Sequence, residues 1–151
     1  MTSQSVGASD NIGLLLSLAS AQGVAAANAA LRPMDLSTRS YTLLELIIRA
    51  GGASQRELAD TLRLDPSQIV ALVDGLEQRG FAQRRPNAAD RRQKSVVATN
   101  RGRQAYRRAR DRVEASLDEV LGELDEAERE TLRALLTRIV HPRPATVERV
   151  S

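Results

Sequence analysis

Between positions 84 and 94 the chain reads RRPNAADRRQK, which gathers Arg84, Arg85, Arg91, Arg92 and Lys94 around a turn holding one acid, Asp90. Like charges this close repel one another, so folding alone supplies no reason to collect them; an external polyanion does. The cations continue through Arg101, Arg103, Arg107, Arg108, Arg110 and Arg112, and between Arg79 and Arg112 only Asp90 and Asp111 oppose them. From Glu114 to Glu130 the sign reverses, with Arg129 as the sole cation. The net charge is only +3 and the pI near 10.1, so the segregation matters more than the total. One region is suited to meet polyanions and the next is not.

Other chemistries are poorly provided for. The absence of cysteine removes disulfides, thiolate metal sites, thiol nucleophiles and thiol redox sensing. His141 is the single histidine and stands beside Pro142, so neither a catalytic triad nor a metal cluster can be assembled around it. No glycine-rich phosphate loop occurs, and the carboxylates of 114–130 read as a solvated helical face. The expectation is a protein that is not an enzyme and carries no metal or cofactor. The first ten residues, MTSQSVGASD, place no basic side chain ahead of an apolar run, which argues against a signal peptide. An intracellular, cytoplasmic chain is expected.

Several elements are needed to position the cations. Asn11 to Leu31 holds no charged residue, yet Gly13, Ser17, Ser20, Gln22, Gly23 and Asn28 dilute it, and no basic or aromatic anchors flank its start. It therefore reads as a helix without a membrane partner. A helix apolar on nearly every side is buried on every side, and in a chain of 151 residues the expected cover is a second copy. Ser37 caps a helix through Leu43, Leu44, Ile47 and Ile48, which Gly51-Gly52 ends. Ser54-Gln55-Arg56-Glu57 is a capping box opening a short helix through Leu58, Ala59 and Leu62. Asp65-Pro66-Ser67-Gln68 starts another, burying Ile69, Leu72, Val73 and Leu76 and stopping at Gly80. Two short helices joined by a tight turn form a helix-turn-helix. Phe81 to Arg85 and Lys94 to Ala98 read as strands of a hairpin closed by Pro-Asn-Ala-Ala-Asp. Thr99 caps a long helix with a seam of Tyr106, Ala109, Val113, Leu117, Val120 and Leu124. Asp125 and Glu128 box the last helix, which shows Leu132, Leu135, Leu136, Ile139 and Val140 on one face before Pro142.

The second helix of the pair is the one a major groove admits, and its exposed face offers Ser67, Gln68, Val70, Ala71 and Asp74, with Gly75 beyond. Gln68 suits a bidentate bond to adenine, and Val70 or Ala71 a thymine methyl. Ser54 and Gln55 open a helix whose free N–H groups and dipole favour a phosphate, although plain capping explains Ser54 equally well. Arg84, Arg91, Arg92 and Lys94 on the hairpin are the expected phosphate contacts.

At this point the sequence resembles the MarR family of bacterial transcription regulators, which are winged-helix proteins. The resemblance runs from about Leu36 to Val140. It is most specific at Asp90-Arg91-Arg92 followed by Val96, Val97, Thr99 and Gly102, similar to the family's wing signature; Ser54-Gln55 with Glu57-Leu58-Ala59, and Leu76-Glu77-Gln78-Arg79-Gly80, also match. The resemblance implies a mainly α fold with a small β-hairpin wing, that is, an α+β winged helix on a helical dimerisation body. It divides the chain into a disordered N-terminus at 1–10, a dimerisation helix at 11–36, a winged helix-turn-helix at 37–99, C-terminal dimerisation helices at 100–141 and a flexible tail at 142–151. It implies a homodimer on double-stranded DNA, with Arg92, or else Arg91, in the minor groove and Asp90 orienting a neighbouring arginine. It also implies a small organic ligand between body and wing, of unknown identity and lining; Tyr41 and Tyr106 read more simply as packing. The departure is Val70 and Ala71, where the family often carries a polar residue and an arginine. A repressor of a pseudo-palindromic operator is the leading expectation. A protein-interaction module and a nonspecific architectural DNA binder remain as alternatives.

Overall fold

The computed structural model of the chain describes residues 10–142. The flexible ends expected at 1–10 and 142–151 lie, apart from Asp10 and Pro142, outside the described residues. Helix α1 covers Ile12–Leu31, with the Asn11 side chain accepting from the Leu14 N–H at 3.1 Å, and a short 3-10 turn over Arg32–Met34 follows. Helix α2 covers Thr38–Ala50, β1 Ala53–Ser54, α3 Gln55–Leu62, α4 Pro66–Gln78, β2 Ala82–Pro86, β3 Lys94–Ala98, α5 Asn100–Val120 and α6 Glu126–Val140. The cap signals act where the sequence puts them. Ser37 accepts from Ser40, Thr99 from Gly102, and Asp125 exchanges two hydrogen bonds with Glu128. Gly51 ends α2 at φ 69°, a left-handed conformation that glycine adopts at no steric cost.

The sheet differs from the two-stranded hairpin of the sequence reading. It has three antiparallel strands in the order β1-β3-β2, because Ala53 and Ser54 pair with Val96 and Ser95 on the inner edge of the wing. A strand of two residues is too short to leave an alternating pattern. Its effect is to tie the start of α3 to the wing. In the hairpin Ala82 pairs with Ala98, Arg84 with Val96 and Pro86 with Lys94, leaving 87–93 as the tip. Pro86 is tolerated because β2 is an edge strand.

One core joins α2, α3, α4, the sheet and the middle of α5. Leu43, Leu44, Ile69, Val73, Leu76 and Val96 are fully buried, and Ala105, Ala109 and Val113 bring α5 onto them. The start of α5 is fastened to the turn between α4 and β2. Thr99 donates its N–H to the Phe81 carbonyl at 3.0 Å and its hydroxyl to Gly80 at 2.6 Å. Gly102 lies so close beneath that a Cβ there would stand 2.8 Å from the Phe81 carbonyl carbon and overlap its oxygen. Helix α1 crosses α5, buries Ala27 and Leu31, and is held by Arg112, whose Nε donates to the Ala30 carbonyl at 3.0 Å. Helix α6 buries no residue.

Candidate nucleic-acid interface

Three short stretches meet at one hollow of about 510 Å³, lined by Ser54, Gln55, Arg56, Val70, Arg84, Gln93 and Lys94. They come from the start of α3, the outer face of α4 and the wing. Five of the seven are residues that the sequence marks as DNA contacts. Arg56 and Gln93 are not distinguishable there, being one cation in an ordinary capping box and one amide in a basic run.

Each candidate has a definite local state. The Ser54 hydroxyl accepts from the Glu57 N–H at 3.2 Å, while Glu57 Oε2 accepts from the Ser54 N–H at 2.8 Å and from its hydroxyl at 2.9 Å. These bonds, backbone first, hold the Glu57 carboxyl below the usual range. Capping thus occupies the Ser54 side chain. On α4 the side chains of Ser67, Gln68, Val70, Ala71 and Asp74 are exposed, while Ile69, Val73 and Leu76 on the opposite face are buried. Gln68 Oε1, however, accepts from the Asp65 N–H at 3.1 Å. A bidentate bond to adenine needs that carbonyl and the amide NH₂ together. In this rotamer the carbonyl is turned toward the cap and already accepts one bond, while the NH₂ has no partner among the described residues.

Arg84 is placed differently from the other wing cations. Its Nε donates to Gln55 Oε1 at 2.7 Å, one terminal nitrogen pairs with Glu77 at 2.5 Å and the other with Asp74 at 2.8 Å. The Arg84 backbone N–H also donates to Glu77 Oε1 at 2.7 Å. So Arg84, Gln55 and Asp74, expected separately to face DNA, face one another instead. The missed signal is parity. Period two along β2 puts Arg84 on the face of Ala82, which must meet α4, and Arg85 on the outer face with Gln83.

The tip keeps its cations free. Arg91, Arg92 and Lys94 are exposed and form no ion pair among the described residues. Asp90 does not orient an arginine through its guanidinium; its Oδ1 accepts from the Arg92 backbone N–H at 3.0 Å. That is the ordinary turn use of aspartate. Asn87 does likewise for Ala89, and the main chain closes the loop between Asn87 and Gln93 at 2.8 Å. The tip is therefore shaped by side chains that bond main chain, which leaves every arginine head to solvent.

Along α5 the cations divide. Arg101 lies over the Phe81 ring, Arg112 is bonded to α1, and Arg110 pairs weakly with Asp111 and Glu114 at 3.7 and 3.6 Å. Arg103, Arg107 and Arg108 have no such partner among the described residues. Tyr41 of α2 stacks on Tyr106 of α5, ring centroids 5.4 Å apart, and burial pushes the Tyr41 hydroxyl well above its usual range, with Tyr106 and Glu45 adding to it.

A helix-turn-helix backed by a three-stranded sheet, with a basic hairpin beside its second helix, defines a winged-helix protein. Residues 34–93 match the family model described as MarR family. The chain is 34% identical over 103 residues to the HTH-type transcriptional regulator BilQ of Clostridium symbiosum, covering 66% of this chain and 72% of that one. Among solved structures, a MarR-family transcriptional regulator from Rhodococcus sp. RHA1 superposes with a TM-score of 0.82 at 38% identity, covering 92% of this chain and all of the other. CouR from Rhodococcus jostii RHA1, bound to p-coumaroyl-CoA, gives 0.79 at 38% identity, over 93% of this chain and 99% of that one. The chain belongs to the MarR family.

Proposed function

We propose that the protein is a homodimeric transcriptional regulator that binds an inverted repeat in duplex DNA, with α4 of each copy in the major groove and each wing tip in the adjoining minor groove. The single observation that carries this reading is the convergence of the α3 start, the outer face of α4 and the wing on one hollow lined in part by cations, Lys94 among them, with Arg91 and Arg92 at the wing tip unpaired among the described residues. Free arginines of this kind suit a narrow, A·T-rich groove, where negative potential is concentrated. Because Gln68 and Asp74 are engaged, direct base readout is thin and DNA shape carries more of the selectivity.

Pairing follows from the bare helices. Leu14, Leu15, Leu16, Leu18 and Val24 of α1, with Leu135, Leu136, Ile139 and Val140 of α6, are exposed in one chain. Apolar surface left open on a helix to this extent marks an interface. Helix α1 with the turn behind it, Ile12–Met34, is long and apolar enough by composition to cross a membrane, mean hydropathy 1.5. Its packing on α5 and the family membership support a role in the dimer body. The likeness to CouR supports release of DNA by a small organic ligand, a repressor's behaviour, and makes acyl-CoA thioesters the first compounds to try.

Selection of bound duplexes from a random pool tests the reading. An inverted repeat should be enriched, its affinity should fall steeply with salt, and a ligand should reduce recovery. Enrichment of no motif despite salt-sensitive binding would instead establish an architectural binder, the reading favoured by the engaged state of Gln68 and Asp74. Absence of any binding would point to a protein-interaction module.

A further inference from the structure

We infer that Arg84 is a positioning residue of the interface: it locks the wing to both helices of the helix-turn-helix and so sets the angle at which tip and α4 meet a duplex. The inference rests on the DNA-binding reading above and changes what one of its cations does. Each nitrogen of the guanidinium is used, and each reaches a different side chain: Nε to Gln55 at the start of α3, one terminal nitrogen to Asp74 and the other to Glu77 on α4. A rigid planar fork makes three such directed bonds from one residue, which the single point charge of a lysine does not.

Charge and burial agree with a structural use. The Arg84 side chain is 22% exposed and lies between two carboxylates, so the cluster carries a net negative charge and has no cationic surplus to offer a phosphate. Glu77 holds the strand twice, by side chain and by the Arg84 backbone N–H. The lock sits at the right place for leverage. The tip begins at Asn87, about 10 Å further along the strand at the usual rise per residue. The loop itself is closed by its own turn bonds, so a tilt at Arg84 would carry Arg91 and Arg92 with it as one piece.

The test uses the full chain as wild type, Arg84→Lys and Arg84→Met, each first checked for its melting temperature; the lysine variant keeps charge and aliphatic stem should the methionine variant fold poorly. Without DNA, amide hydrogen exchange is followed by mass spectrometry. Faster exchange across 82–94 in both variants, with the core of α2 and α5 unchanged, is the expected result; unchanged exchange at the wing overturns the lock. With the duplex enriched from the random pool, affinity is measured across a salt series. Both variants should bind about tenfold or more weakly, equivalent to roughly 1.4 kcal/mol, with the slope of log affinity against log salt kept. A phosphate contact predicts the opposite: Arg84→Lys binds like wild type and Arg84→Met loses about 0.9 of slope, which overturns the inference. Failure of the DNA reading is distinct from both. There the wild type enriches no duplex, which removes any interface for Arg84 to position, while the exchange arm still reads the lock itself.

Discussion

Around Ile69, Val73, Leu76 and Val96 the chain excludes solvent entirely, each at 0% exposure, whereas α6 buries nothing and its Ile139 and Val140 stand 63% and 66% exposed. Both regions have the same kind of sequence, amphipathic helices with apolar residues at helical spacing and boxed N-termini. What separates them is where the cover comes from. The winged helix finds its partners within one chain, in α2, the sheet and α5. Helices α1 and α6 present apolar faces that the described residues leave open. Hydrophobic periodicity states which face must be covered but not which chain covers it. In the dimer proposed above, a body completed by a second copy would fix the spacing between two reading heads.

The sharpest way to break this comparison is to cut the joint between the regions. Gly102 passes under the Phe81 carbonyl where α5 leaves the wing, and no side chain fits there. Gly102→Val should cost about 3 kcal/mol or more through overpacking against main chain, which cannot step aside. Urea unfolding measures it. A loss of both reading head and body in one transition is expected; a near-neutral effect would mean that the joint is loose and the two regions are independent.

Next in size is the body alone. Leu135→Glu with Ile139→Glu places two charges on the open face of α6. Association should weaken by about 2 to 3 kcal/mol, as for buried anchor residues of an interface, and light scattering should show a monomer whose winged helix still melts cooperatively. If the double variant remains a dimer, α6 is not the covered face and the comparison loses its second half.

Smaller again is the effect of the wing tip, which concerns function with the fold untouched. Arg91→Ala with Arg92→Ala should leave the melting temperature unchanged, because neither head has a partner among the described residues. It should weaken duplex binding by tenfold to about thirtyfold, roughly 1.4 to 2 kcal/mol, and lower the salt slope by about 1.8 if each neutralises one phosphate. Filter binding across a salt series reads both. A full salt slope in the variant would exclude these two residues from the contact.

Local signals in the sequence carried most of the fold and only part of the site. The boxes at 54–57, 65–68 and 125–128 and the caps at Ser37 and Thr99 span four residues each, so they are readable without knowledge of the rest of the chain. The pairing of Ala53-Ser54 with β3 is not, since its partners lie more than forty positions away and two residues show no alternation. The site suffered from a different loss. Five cations in RRPNAADRRQK look alike as letters, yet Arg84 is committed to Gln55, Asp74 and Glu77 while Arg91 and Arg92 have no partner among the described residues. Strand parity held the clue, but its meaning depends on knowing that α4 lies beneath that face. Asp90 and Gln68 show the same ambiguity, because aspartate and glutamine serve main chain as readily as they serve a ligand.

Gln68 gives the smallest and most discriminating prediction. Its carbonyl caps α4 through the Asp65 N–H, and its NH₂ faces outward from an exposed position. Gln68→Glu keeps an acceptor for that N–H and adds a charge favoured at a helix N-terminus, so stability should hold or rise by a few tenths of a kcal/mol up to about 1. The same change removes the only free donor of the side chain. If Gln68 serves the cap alone, the new carboxylate should weaken binding evenly across sequences by repelling phosphate, and the motif enriched from a random pool should not change. If the rotamer switches on contact and Gln68 reads a base, preference at one position of each half-site should collapse, by the 1 to 3 kcal/mol that a good base contact discriminates. The cap bond in the free chain favours the even loss, because a base would have to displace a hydrogen bond that the helix start already uses.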